Sequence, residues 1–103
     1  MLRLVKITVG GLVQGVGFRY FVKRTADDYG IKGYVKNIYS GEVEIEAEGE
    51  ENIIKKFVDE IKRGPTFSQV RSFYIDHLDY KNKYSKFEVV LWLELDSDMM
   101  CID

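Results

Sequence analysis

Seven residues, Val13-Gln14-Gly15-Val16-Gly17-Phe18-Arg19, set two glycines and an arginine where one hydrophobic period ends and another begins. Residues of these types can bind an anion. Gly15 and Gly17 can take the positive φ values that turn successive backbone N–H groups to one concave side. The unpaired N–H groups and the dipole at a helix start favour negative charge at the same spot. Arg19 adds a planar, permanently charged fork suited to phosphate oxygens. Glycine spacing alone is explained equally well by a tight strand-to-helix turn and a solvated arginine. Nucleotide-binding patterns do not fit, because the stretch lacks both a Gly-x-Gly-x-x-Gly in a parallel βαβ unit and a Gly-Lys-Ser/Thr.

Asn37 lies near the end of a β-branched and aromatic run. Asparagine at a strand end is usually a turn former. Asn37 also shares strand parity with the apolar Val35, which puts it on the side that a helix would cover.

The elements that position these residues follow from hydrophobic period. Arg3 to Gly10 alternates, with Val5, Ile7 and Val9 on one side, and reads as a half-buried strand. From Phe18 the period changes: Phe18, Phe21, Val22, Thr25, Ala26 and Tyr29 form one helix face, which Gly30 ends. Ile31 to Ile38 and Glu42 to Gly49 read as strands joined across Ser40-Gly41 in a hairpin. In the second of them Glu42, Glu44, Glu46 and Glu48 alternate with Val43, Ile45 and Ala47. Glu50-Glu51 opens a helix bearing Ile54, Phe57, Val58 and Ile61, and Gly64-Pro65 closes it. Strands from about Val70 to Tyr80 and from Phe87 to about Leu93 flank a polar turn. The order is that of an α+β, ferredoxin-like βαββαβ sandwich with an extra C-terminal strand. Two helices are expected on one face of an antiparallel sheet, with the glutamate row facing solvent on the other. Residues 1–93 are expected to form one domain, and 94–103 an acidic extension that belongs to it or frays. Leu91, Trp92, Leu93 and Leu95 could pair with a second copy, although a monomer is the plain expectation.

Bulk composition narrows the function classes. A chain of 103 residues makes one domain, and 46% hydrophobic content suffices for a core. A net charge of −2 offers no broad footprint for nucleic acid or membrane. One cysteine, Cys101, cannot form an internal disulfide, and with His77 as the sole histidine a zinc site is not expected. No signal peptide and no run of about 18 apolar residues is present. A soluble cytoplasmic protein is the expectation.

The loop from Gly11 to Arg19 resembles the signature of the acylphosphatase family. A second signature is present in Gly33-Tyr34-Val35-Lys36-Asn37, with Gly41-Glu42-Val43-Glu44 and Gly49-Glu50 after it. Ala26, Gly30 and Gly64-Pro65 match further landmarks, and the resemblance spans about residues 4 to 91. It implies that Arg19 binds phosphate, that Asn37 orients the attacking water, and that amides of Gly15, Val16, Gly17, Phe18 and Arg19 cradle the phosphoryl group. It implies hydrolysis of acyl phosphates to carboxylate and inorganic phosphate by in-line water attack, with no metal or organic cofactor. The chemistry is consistent with these residues. A carboxylate leaving group needs no general acid. Phosphoryl transfer depends mostly on positioning and charge stabilisation. A phosphoryl oxygen of the substrate can accept the water proton, so His77 is not required.

Two rivals remain on sequence. An RNA-recognition module shares the element order, but four glutamates on its binding strand would repel phosphate. A non-catalytic phosphate- or carbamoyl-phosphate-binding domain, as in the hydrogenase maturation carbamoyltransferase, would also keep the loop. A free-standing chain of this length with both Arg19 and Asn37 favours the enzyme.

Overall fold

The computed structural model describes residues 1–15, 17–66 and 68–90. Strand β1 spans Leu2–Leu12, helix α1 Phe18–Tyr29, β2 Lys32–Asn37, β3 Val43–Glu50, helix α2 Glu51–Arg63, β4 Gln69–Leu78 and β5 Phe87–Val90. The strands form one sheet in the order β4-β1-β3-β2-β5.

The alternation in β1 sets the layers. Val5, Ile7 and Val9 pair with Ala47, Ile45 and Val43 of β3, and all six are buried. Against this face α1 buries Phe18, Val22, Thr25 and Ala26, and α2 buries Ile54, Phe57 and Ile61. Removing a side chain such as Phe57 from water contributes about 2–3 kcal/mol. Gly33 lets β2 lie close to β3: a Cβ there would sit 1.8 Å from the Glu46 carbonyl oxygen.

Two expectations are corrected. The sheet is mixed rather than antiparallel throughout. β1, β2, β3 and β4 pair antiparallel, but β5 runs parallel to β2, with Gly33 opposite Phe87 and Lys36 opposite Val90. Residues 79–86 carry the chain from β4 at one edge to β5 at the other. A hydrophobic period reports that a strand exists, not which way it runs.

The glutamate row also does not face open solvent. Glu46 and Glu48 are only 9% and 3% exposed. β3 is the central strand, so Lys6 from β1 and Lys36 from β2 both reach Glu44, at 3.6 and 3.5 Å. The 79–86 segment covers the rest. The backbone N–H groups of Lys83 and Tyr84 donate to Glu48 at 3.3 and 3.2 Å, the Tyr84 hydroxyl donates to Glu46, and Lys83 Nζ lies 3.2 Å from Glu46. The Tyr34 hydroxyl donates to Glu44 at 2.6 Å. Burial and the neighbouring carboxylates push the Tyr34 and Tyr84 hydroxyls well above the ordinary tyrosine range. Burial works to raise Glu44, but the Tyr34 hydroxyl with Lys36 and Lys6 holds it below the usual carboxylate value.

The expected end of the last strand at Leu93, the domain boundary there and the acidic extension all lie outside the described residues.

Candidate functional site

The loop after β1 leads into α1 through Gly15 (φ 76°) and Gly17 (φ 78°), both left-handed. Gly17 is the N-cap of α1 and provides no side-chain cap, and the first turn holds no acid. The leading N–H groups of α1 therefore lack the acceptor that a Ser, Asp or Asn cap supplies elsewhere. A Cβ built on Gly15 would meet nothing within 4 Å, so the loop opens outward at that point. Val13, Gly15, Gly17, Phe18, Arg19 and Tyr20 border a cavity of about 60 Å³. Val13 and Phe18 are buried and anchor the loop from below, while Arg19 is half-buried.

Arg19 and Asn37 come toward the same end of the sheet. Arg19 Nη1 donates to the Val90 carbonyl at 3.5 Å. Val90 lies opposite Lys36, the residue before Asn37. Asn37 is paired with Val43 on the helix-covered face, as its parity with Val35 predicts. Its Oδ1 is buried and has no hydrogen-bond partner among the described residues. A buried acceptor left unpaired costs about 1–3 kcal/mol, so this atom is suited to a donor such as water.

Gln14 supplies the link that the sequence did not reveal. Its Nε2 donates to the carbonyls of Ile38, at 2.9 Å, and Glu42, at 2.8 Å. Those two residues close the β2–β3 turn, where Ile38 N donates to Glu42 O at 3.0 Å. One side chain thus fastens the glycine loop to the hairpin that carries Asn37. The only signal in the sequence was a two-donor amide within an otherwise glycine and apolar stretch.

Larger concavities lie elsewhere. One of about 380 Å³ sits between α2 and β4 and includes Arg3, Ile54, Ile75 and His77. Another of about 770 Å³ runs between α1 and β5. Neither includes the glycine loop. His77 is exposed and lines the first of these, apart from the loop. Among the described residues, no three His, Cys, Asp or Glu side chains converge as metal ligands would. Val16 falls outside the described residues, and so does Cys101.

The acylphosphatase family model matches residues 5–89. The chain belongs to the acylphosphatase family. An acylphosphatase of Archaeoglobus fulgidus is 48% identical over 85 residues, covering 82% of this chain and 94% of that one. That of Bacillus subtilis is 44% identical over 85 residues, covering 82% and 93%. The crystal structure of the Bacillus subtilis acylphosphatase superposes with a TM-score of 0.82 at 43% identity, over 87% of this chain and 99% of that one. Full-length HypF, in its phosphate- and nucleotide-bound form, matches with a TM-score of 0.80 at 38% identity, over 87% of this chain but 12% of that chain. The ferredoxin-like fold and the acylphosphatase activity expected from the two signatures are both supported. This acylphosphatase is a hydrolase of acyl phosphates, small-molecule substrates. No helix among its described residues is long and apolar enough to cross a membrane.

Proposed function

We propose that Arg19 and Asn37 carry the acylphosphatase reaction, with the amides of Gly15 through Arg19 as the phosphoryl cradle. The observation that carries this reading is the uncapped start of α1 at Gly17, next to Arg19. The substrate phosphoryl group supplies the negative charge that no side chain of the first turn provides. Arg19, held by the Val90 carbonyl, neutralises charge on the equatorial oxygens as the bond to the acyl oxygen loosens. Asn37 holds a water by its Oδ1, in line with that bond. The water oxygen bonds to phosphorus, the acyl carboxylate departs as an anion, and a phosphoryl oxygen takes the water proton. None of these steps needs a general acid, because the leaving group is stable as an anion at neutral pH.

Turnover of benzoyl phosphate by folded Arg19→Ala and Asn37→Ala variants tests the assignment. Both are expected to lose nearly all activity: Arg19→Ala weakens inhibition by inorganic phosphate as well, whereas Asn37→Ala leaves it in place. Near-normal turnover by either folded variant would falsify the assignment of that residue. A cytoplasmic location completes the proposal, on the ground of a single cysteine that can form no internal disulfide.

A further inference from the structure

The cavity at the loop offers about 60 Å³. Sites that take an organic ligand run from about 300 to 1,000 Å³, so this one has room for a phosphoryl group but not for the acyl group joined to it. The acyl carbons begin one bond beyond the bridging oxygen and must lie just outside. One side chain borders both this cavity and the larger groove between α1 and β5, and it is Tyr20. That groove, of about 770 Å³, continues along α1 and reaches Phe87 and Val89. Tyr20 is 70% exposed, and neither its hydroxyl nor its ring has a partner among the described residues.

The charges along the groove decide what kind of acyl group it suits. Lys23 is already engaged, donating to Asp27 at 2.8 Å and to the Phe87 carbonyl at 3.0 Å. Arg24 and Lys86 are matched in number by Asp28 and Glu88. The groove therefore has no cationic excess to attract a second anionic group. The residue common to cavity and groove is instead aromatic, and its ring offers contact area with few rotors to immobilise.

We propose that Tyr20 is a specificity-determining residue, supporting the acyl group over its ring and favouring uncharged aromatic or apolar acyl phosphates over short ones. This rests on the reading that the phosphoryl group occupies the glycine loop. The test compares benzoyl phosphate with acetyl phosphate on the wild type, Tyr20→Ala and Tyr20→Phe, with Arg19→Ala alongside. Tyr20→Ala is expected to raise KM for benzoyl phosphate roughly three- to tenfold, the range of one aromatic contact. KM for acetyl phosphate and inhibition by inorganic phosphate stay within about twofold, because phosphate lies within the cradle and acetyl adds only two carbons beyond it, too little apolar surface for a ring contact. Tyr20→Phe keeps the ring and behaves as the wild type with both substrates. An equal change for both substrates, no change with benzoyl phosphate, or a loss in Tyr20→Phe matching that in Tyr20→Ala overturns the proposal. Normal turnover by Arg19→Ala locates the failure in the phosphoryl site instead, and removes the ground on which Tyr20 was assigned.

Discussion

The two helices of this acylphosphatase begin in opposite ways. At the start of α2, Glu50 accepts a hydrogen bond from Asn52 N at 3.2 Å, and Glu51 follows in the first turn. The helix is terminated by its own carboxylates, as stability favours. At the start of α1 stands Gly17, with no side-chain cap, no acid in the first turn and Arg19 two residues on. A cap is missing where the substrate's own charge can take its place. The contrast teaches that, on the proposed assignment, an incomplete helix start beside a cation points to the anion site where cavity size does not, since the larger concavities of this molecule lie elsewhere.

Substitutions can break this comparison. Arg19→Ala is expected to have the largest effect, a loss of about a thousandfold or more in kcat/KM for benzoyl phosphate, the scale on which an arginine serves a phosphoryl transition state. Asn37→Ala comes next. Losing the water's alignment is expected to lower kcat by about a hundredfold or more, with phosphate inhibition retained; a change confined to KM would contradict its role. Gln14→Ala leaves both groups in place but unfastens the loop from the hairpin, so about a tenfold fall in kcat is expected. Equal activity in the wild type and this variant would show that the loop holds its position without the clamp.

The sharpening control is Glu50→Ala, which removes the cap of α2 and should lower the melting temperature while leaving kinetics unchanged. Its pH dependence is the smallest effect expected. The bond from the N-terminal ammonium (2.5 Å) and then that from Asn52 N hold the Glu50 carboxyl below its usual value. A depressed carboxyl contributes stability above its unfolded pKa and loses it as pH falls through the folded one. The wild type should therefore lose its advantage over Glu50→Ala on acidification below about pH 4. An advantage that grows on acidification would reverse the sign.

Local features of this fold were legible in the sequence, and relations between distant segments were not. The helix from Phe18 to Gly30 and the strand parity of Asn37 come from period and glycine placement, which one segment carries by itself. The glutamates of β3 read as a solvated face because alternation shows sides, not what covers them. Their burial depends on β3 being central and on Lys83 and Tyr84 crossing over from a segment more than thirty positions later. The parallel pairing of β5 with β2 is hidden for the same reason. Within the site, Arg19 was suggested by type and by family signature, and Asn37 by family signature alone. Gln14 was not, because its partners are the backbone carbonyls of Ile38 and Glu42, which no residue identity announces.

The central claim, that the uncapped start of α1 holds the phosphoryl group, is tested most directly by titrating the protein with inorganic phosphate and following its backbone amides by NMR. The account predicts saturable shifts at Gly15, Gly17, Phe18 and Arg19 and at the Asn37 side-chain amide, with none at Asn52 in the first turn of α2. Saturable shifts that miss the glycine loop, or that appear equally at the two helix starts, would contradict it.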